Sequence, residues 1–145
     1  VVNLSNKSLI YIELERLYSC ALYLQNQSKV ENQDKYILFD EINNQYHYYN
    51  NDIKETHKLS SQIAFGFLPN SKGPPSNPSS KIKKAITFNN KKIMFFKDGT
   101  VSAGIIYLID KNKTAMYALS CGISSISYLR RYKYIDISNK WLLLN

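Results

Sequence analysis

The 145-residue chain is poor in the residues that build most catalytic and metal centres. It has two histidines, His47 and His57, in unrelated contexts, and neither has a second histidine at metal-ligating spacing. A metal centre needs several converging ligands, so each histidine reads as structural or solvated. The two cysteines, Cys20 and Cys121, lie 101 positions apart and form no Cys-x-x-Cys pair. That removes the sequence signal for a zinc or thioredoxin-type site. It leaves open one long-range disulfide or two separately buried thiols. None of the nucleophile-elbow, zinc-protease, phosphate-loop or dinucleotide-loop motifs occurs. Asp34, Asp40 and Glu41 lie close in sequence, but as turn carboxylates they read as solvated rather than as an acid–base pair. No apolar run approaches the ~20 residues of a membrane-spanning helix. Glycine is scarce, at five, and the four prolines fall together between Pro69 and Pro78.

What remains is enough for a core. Hydrophobic residues make up 44% and aromatic residues 13% of the chain, which excludes wholesale disorder. The length suits one domain over 1–145. The chain does not begin with methionine, which raises the expectation of a removed upstream segment. The net charge is +8, and such a balance suggests an acidic partner such as nucleic acid, a membrane face or an acidic protein. Only three of the 19 basic residues are arginine, and isoleucine and asparagine are abundant. That Lys-Asn-Ile bias fits AT-rich coding and a solvated basic surface.

Residues 5–30 carry the helical signal. Ile10, Leu14, Leu17, Ala21 and Leu24 are spaced four, three, four and three, which places them on one stripe. Glu15, Arg16, Ser19 and Asn26 fall on the other side, Glu13 and Arg16 can pair on the surface, and Ser5 or Ser8 can cap the start. Residues 35–68 read as the first strands, through Tyr36–Phe39, Tyr46–Tyr49 and Ile63–Phe67. Residues 69–80 are a Pro/Ser-rich loop. Residues 84–122 read as a β-meander, with Asp98-Gly99 as its strongest hairpin signal. Residues 123–145 form a further strand or tail. One long helix followed by strands alone implies an α+β fold, with the helix packed on an antiparallel β-sheet meander.

Twelve tyrosines are many for this length. The segment Tyr128-Leu129-Arg130-Arg131-Tyr132-Lys133-Tyr134 gathers two of the three arginines. Arg130, Arg131, Tyr132 and Lys133 are therefore the candidate nucleic-acid-binding residues, with rings to stack and cations to meet phosphate. The bland alternative is a charge-guarded edge strand. Lys81, Lys83 and Lys84 read as a solvated strand entrance.

The run Phe96-Lys97-Asp98-Gly99-Thr100-Val101-Ser102-Ala103-Gly104-Ile105-Ile106-Tyr107-Leu108 carries a resemblance. It contains a phenylalanine, two residues, a glycine, a short polar stretch, then a second glycine opening an apolar strand. With the helix Leu9–Gln27 and the strand Tyr36–Phe39, it resembles the minor pseudopilin H family of type II secretion, which includes pilus minor pilins. Gly99 and Gly104 are the structural positions of that match. The family's Gly-Arg after this region is replaced by Gly122-Ile123-Ser124-Ser125.

The resemblance implies a pilin-like soluble domain without its N-terminal membrane half. It implies a processed, methylated precursor anchored in the inner membrane and exposed to the periplasm. The activity would be assembly into a type II secretion or type IV pilus-like filament with other pilin-like subunits, through the Pro69–Ser80 loop and the C-terminal tail. No enzyme activity, catalytic residue, cofactor, metal or small-molecule substrate is expected. The alternative is a minor pilin that binds DNA during uptake.

Overall fold

The structure is a computed structural model, and it describes residues 5–123 and 127–144. Helix α1 spans Asn6–Val30. Its N-terminus is capped by Ser5, whose hydroxyl accepts from the Ser8 amide at 3.2 Å. The stripe residues Ile10, Leu14, Leu17, Ala21 and Leu24 are all 0–1% exposed. The helix stops where Asn32 takes a left-handed conformation. Its last turn is tied to the sheet, because the buried Ser28 hydroxyl lies 2.7 Å from the Gln25 carbonyl and 3.1 Å from that of Phe96.

The strands are β1 (Lys35–Asp40), β2 (Gln45–Asn50), β3 (Ile53–Lys58), β4 (Ile63–Phe65), β5 (Lys92–Phe95), β6 (Gly104–Asp110), β7 (Met116–Ile123), β8 (Ser127–Ile135) and β9 (Lys140–Leu143). They form two antiparallel sheets, ordered β3-β2-β1-β5 and β4-β6-β7-β8-β9. The fold is therefore α+β, a long N-terminal helix on antiparallel sheet.

Two features differ from the sequence reading. Residues 84–122 do not run as one meander, because β5 pairs with β1 and β6 pairs with β7. The Asp98-Gly99 turn does close a short hairpin, with Val101 bridged to Phe95 and the Ser102 amide donating to the Met94 carbonyl at 3.0 Å, and the chain crosses to the other sheet only as it enters β6. Strand β3 went unread because its side chains alternate between exposed and partly exposed, so no apolar period marks it. Of the departure from the family pattern, Ser124 and Ser125 lie outside the described residues.

Strand alternation sorts the second sheet's side chains onto two faces. Ile106, Leu108, Tyr117, Leu119, Cys121 and Leu129 join the α1 stripe, together with Ile37, Phe39, Ile93 and Phe95 of the first sheet. Ile105, Tyr107, Ile109, Met116, Ala118 and Tyr134 form a separate core on the back. The excursion after β4 covers that back face through Leu68 and Ile82. It is pinned by a Lys72–Lys81 bridge and by the Trp141 indole N–H, which donates to the Lys72 carbonyl at 2.9 Å.

The two glycines of the sequence match have distinct reasons. Gly99 sits at φ +93°, and its amide donates to the Phe96 carbonyl at 2.9 Å. A side chain there would be strained. Gly104 is a matter of space, since a β-carbon would meet the Phe88 ring at 2.5 Å.

Both cysteines are free thiols in the helix-side core. Burial pushes the Cys20 thiol up to about 12, against a hydrogen bond from Tyr48, and burial also raises Cys121. The thiolate is the reactive form.

Two predictions follow from this packing. Gly104→Ala should lower unfolding free energy by about 1–3 kcal/mol in urea titration, as overpacking does; an unchanged midpoint would contradict the close contact. At pH 8 neither thiol should react with Ellman's reagent until the protein is denatured. Rapid native-state labelling of Cys20 would contradict its burial.

Candidate subunit interface

The side of α1 turned away from the sheets is not uniformly polar. Arg16, Ser19 and Asn26 are exposed there, but so are Tyr11 (44%), Ile12 (40%), Leu22 (41%) and Tyr23 (41%). The buried stripe already seats the helix on its own domain. Ile12 and Leu22 are therefore surplus to seating the helix, and a helix apolar on both sides is characteristic of burial in something larger. Tyr23 donates to the Asn50 side chain at 3.0 Å and Tyr11 meets the Tyr117 ring edge-on at 6.4 Å, so both are held in place.

The helix is also locked by polar contacts that were not legible in the sequence. Glu13 pairs with Arg16 at 3.8 Å, as its spacing suggested, but it is not on the surface. It is only 4% exposed, because it faces the β3–β4 connection rather than solvent. Its carboxylate also accepts from the Ser60 amide at 2.6 Å and from His57 Nε2 at 2.9 Å. His57 thus belongs to the helix anchor. His47 instead contacts the Thr56 hydroxyl at 2.7 Å across the β2–β3 hairpin. Nothing in the chain marks Glu13 beyond its place one residue before the stripe residue Leu14.

The four residues Arg130, Arg131, Tyr132 and Lys133 do not share one surface. They are consecutive on β8, opposite Ser120, Leu119, Ala118 and Tyr117, so successive side chains point to opposite faces. Arg131 lies on the helix side, where it pairs with Glu15 and places its guanidinium 4.1 Å from the centre of the Tyr18 ring. Tyr132 is on the back, edge-on to Trp141 at 6.4 Å. Arg130 lies 4.0 Å over Tyr128. The pattern that suggested base stacking is, in space, a helix clamp on one face and an aromatic cluster on the other. The Pro69–Ser80 loop and the tail meet at the Trp141–Lys72 contact, with Leu142 and Leu143 exposed on the edge strand β9. Among the described residues, no three histidine, cysteine or acidic side chains gather at metal-binding range. No helix among them is long and apolar enough to cross a membrane.

A capped helix laid along antiparallel sheet by one apolar stripe defines a pilin-like fold. Solved structures of that fold bear this out. One structure of the minor pseudopilin EpsH from the type 2 secretion system of Vibrio cholerae superposes with a TM-score of 0.57 at 11% identity, covering 82% of this chain and 94% of that one. A second EpsH crystal structure gives 0.53 at 13% identity, covering 97% and 98%. No family model and no curated protein matches the sequence. At this identity the likeness is one of fold.

Arg131→Ala should cost about 1–2 kcal/mol of stability through the lost clamp on α1. Arg130→Ala should cost less, about 0.5 kcal/mol, because the half-buried Arg130 loses only its contact with the Tyr128 ring. Thermal denaturation of the two variants checks this, and equal small effects would contradict the clamp.

Proposed function

We propose that the protein is a structural minor pseudopilin or pilin subunit that acts by assembling into a type II secretion or type IV pilus-like filament. The fold shared with EpsH supports this. The observation that carries it is the outer face of α1, where Tyr11, Ile12, Leu22 and Tyr23 remain apolar and exposed after the helix has been fully seated. Packing of that face against a helix of a neighbouring subunit removes it from water. At roughly 25 cal/mol per Å² of apolar surface, a few such side chains contribute several kcal/mol to association. In the same reading the helix continues upstream into an apolar inner-membrane anchor, and the sheets face the periplasm. The loop tip at residues 76–80 and the exposed leucines of β9 form a second contact. Such a subunit works by position and needs no turnover or cofactor.

The test is a double variant, Ile12→Asp with Leu22→Asp, in the full-length protein in its native host. Both positions are exposed, so the isolated domain should keep its melting temperature. Co-purification with other pilin-like subunits should be lost. Retained co-purification with the charged helix face would overturn the assignment of this face.

A further inference from the structure

The net charge of the chain is concentrated in one stretch. Residues 56–97 hold eight lysines and no aspartate or glutamate, while the rest of the chain carries 11 basic and 11 acidic residues. The whole +8 therefore belongs to this segment. Lys83 and Lys84, from its middle, line two adjoining grooves; Lys81 lines one of them and Lys91 the other. Lys91 is neutralised by Glu41 at 3.1 Å. Among the described residues no carboxylate lies within ion-pair distance of Lys81, Lys83 or Lys84.

A second observation comes from the backbone. Strand β4 pairs with β6 only as far as Phe65, and the Gly66 amide makes one more bond to the Tyr107 carbonyl. The chain then leaves for the proline loop. It returns at Ala85, which takes up the same edge of β6. The Tyr107 amide donates to the Ala85 carbonyl at 2.9 Å and the Thr87 amide to the Ile105 carbonyl at 3.0 Å, around the Ile86–Ile106 bridge. Antiparallel pairing alternates, so Ile86 turns its own N–H and C=O groups away from β6. Neither group has a hydrogen-bond partner among the described residues. They lie along the groove whose walls are Phe65, Phe67, Lys83 and Lys91.

We propose that this groove is a docking site for an extended, acidic segment of a partner polypeptide, which pairs with the backbone at Ile86. The Ile86 N–H and C=O supply two ladder bonds to the peptide. The lysines on its rim supply the charge preference, and Phe65 and Phe67 give its apolar side chains a wall. A nucleic acid would satisfy the lysines but has no peptide groups to pair with the edge. The groove also offers no arginine fork. The site is separate from the outer face of α1 and does not depend on the filament reading.

The experiment uses the full 145-residue chain, a fluorescein-labelled octapeptide of alternating glutamate and valine, and a 20-base-pair DNA duplex as the competing polyanion. The peptide should bind, and added salt should weaken it. Lys83→Glu with Lys84→Glu should reduce its affinity by at least about tenfold, as like-charge juxtaposition does. Lys113→Glu, on the β6–β7 turn, should not. In hydrogen-exchange NMR the Ile86 amide should become protected when the peptide is bound. Because Lys83 and Lys84 are exposed, an unchanged melting temperature identifies the loss as one of binding. Three results would overturn the proposal: no peptide binding, peptide binding that leaves the Ile86 amide unprotected, or tighter lysine-dependent binding of the duplex than of the peptide.

Discussion

Everything in this molecule depends on one apolar stripe, the row from Ile10 to Leu24. Two antiparallel sheets share no ladder with each other, and each alone would leave a hydrophobic face in water. The stripe covers both. Its five side chains meet Ile37, Phe39, Ile93 and Phe95 of one sheet and Ile106, Leu108, Leu119 and Leu129 of the other in a single core. Each large side chain in such a position contributes about 1.5–3 kcal/mol, and such packing, rather than intrinsic propensity, is what holds a helix in a folded protein. The polar clamps then fix the axis. Glu13 holds the first half to the β3–β4 connection, Arg131 grips Glu15 and Tyr18, and Ser28 ties the last turn to β5.

That arrangement explains where the remaining exposed features lie. Because α1 completes the core with one face, its other face is free to carry apolar residues without weakening the domain. Because the second sheet is buried on both faces, the chain needs a cover for its back, and the excursion through the prolines provides it. The return of that excursion at Ala85 leaves a short interrupted edge, and the segment's lysines gather beside it. The exposed apolar face of the helix and the lysine-rimmed groove are thus separate consequences of one topology.

Much of this was legible in the residues. The helical stripe declared itself by spacing, since a 3.6-residue period leaves few alternatives. Gly99 was readable because an Asp-Gly pair favours a positive φ. Gly104 was readable only as a glycine opening a strand; the Phe88 ring that requires it comes from 16 residues earlier in sequence. Strand β3 was missed because a solvent-facing edge strand needs no apolar alternation. The hairpin at Asp98-Gly99 was legible, but the change of sheet was not, because its second arm at Thr100–Ser102 is too short to show that the chain leaves β5 before β6 begins. The placement of the segment from Arg130 to Lys133 was hidden for a related reason. Neighbours in sequence are opposed in a strand, so a dense cluster on paper becomes two unrelated faces.

The central claim is that the α1 stripe makes the two sheets one cooperative unit. Native-state hydrogen exchange on Leu17→Ala tests it most directly. Truncating a fully buried leucine should cost about 2–5 kcal/mol. The account predicts that protection of Ile37 and Phe39 in the first sheet falls by the same free energy as that of Ile106 and Leu119 in the second. Loss of protection in one sheet with the other unchanged would show that the sheets are stable independently of the helix and would contradict the account.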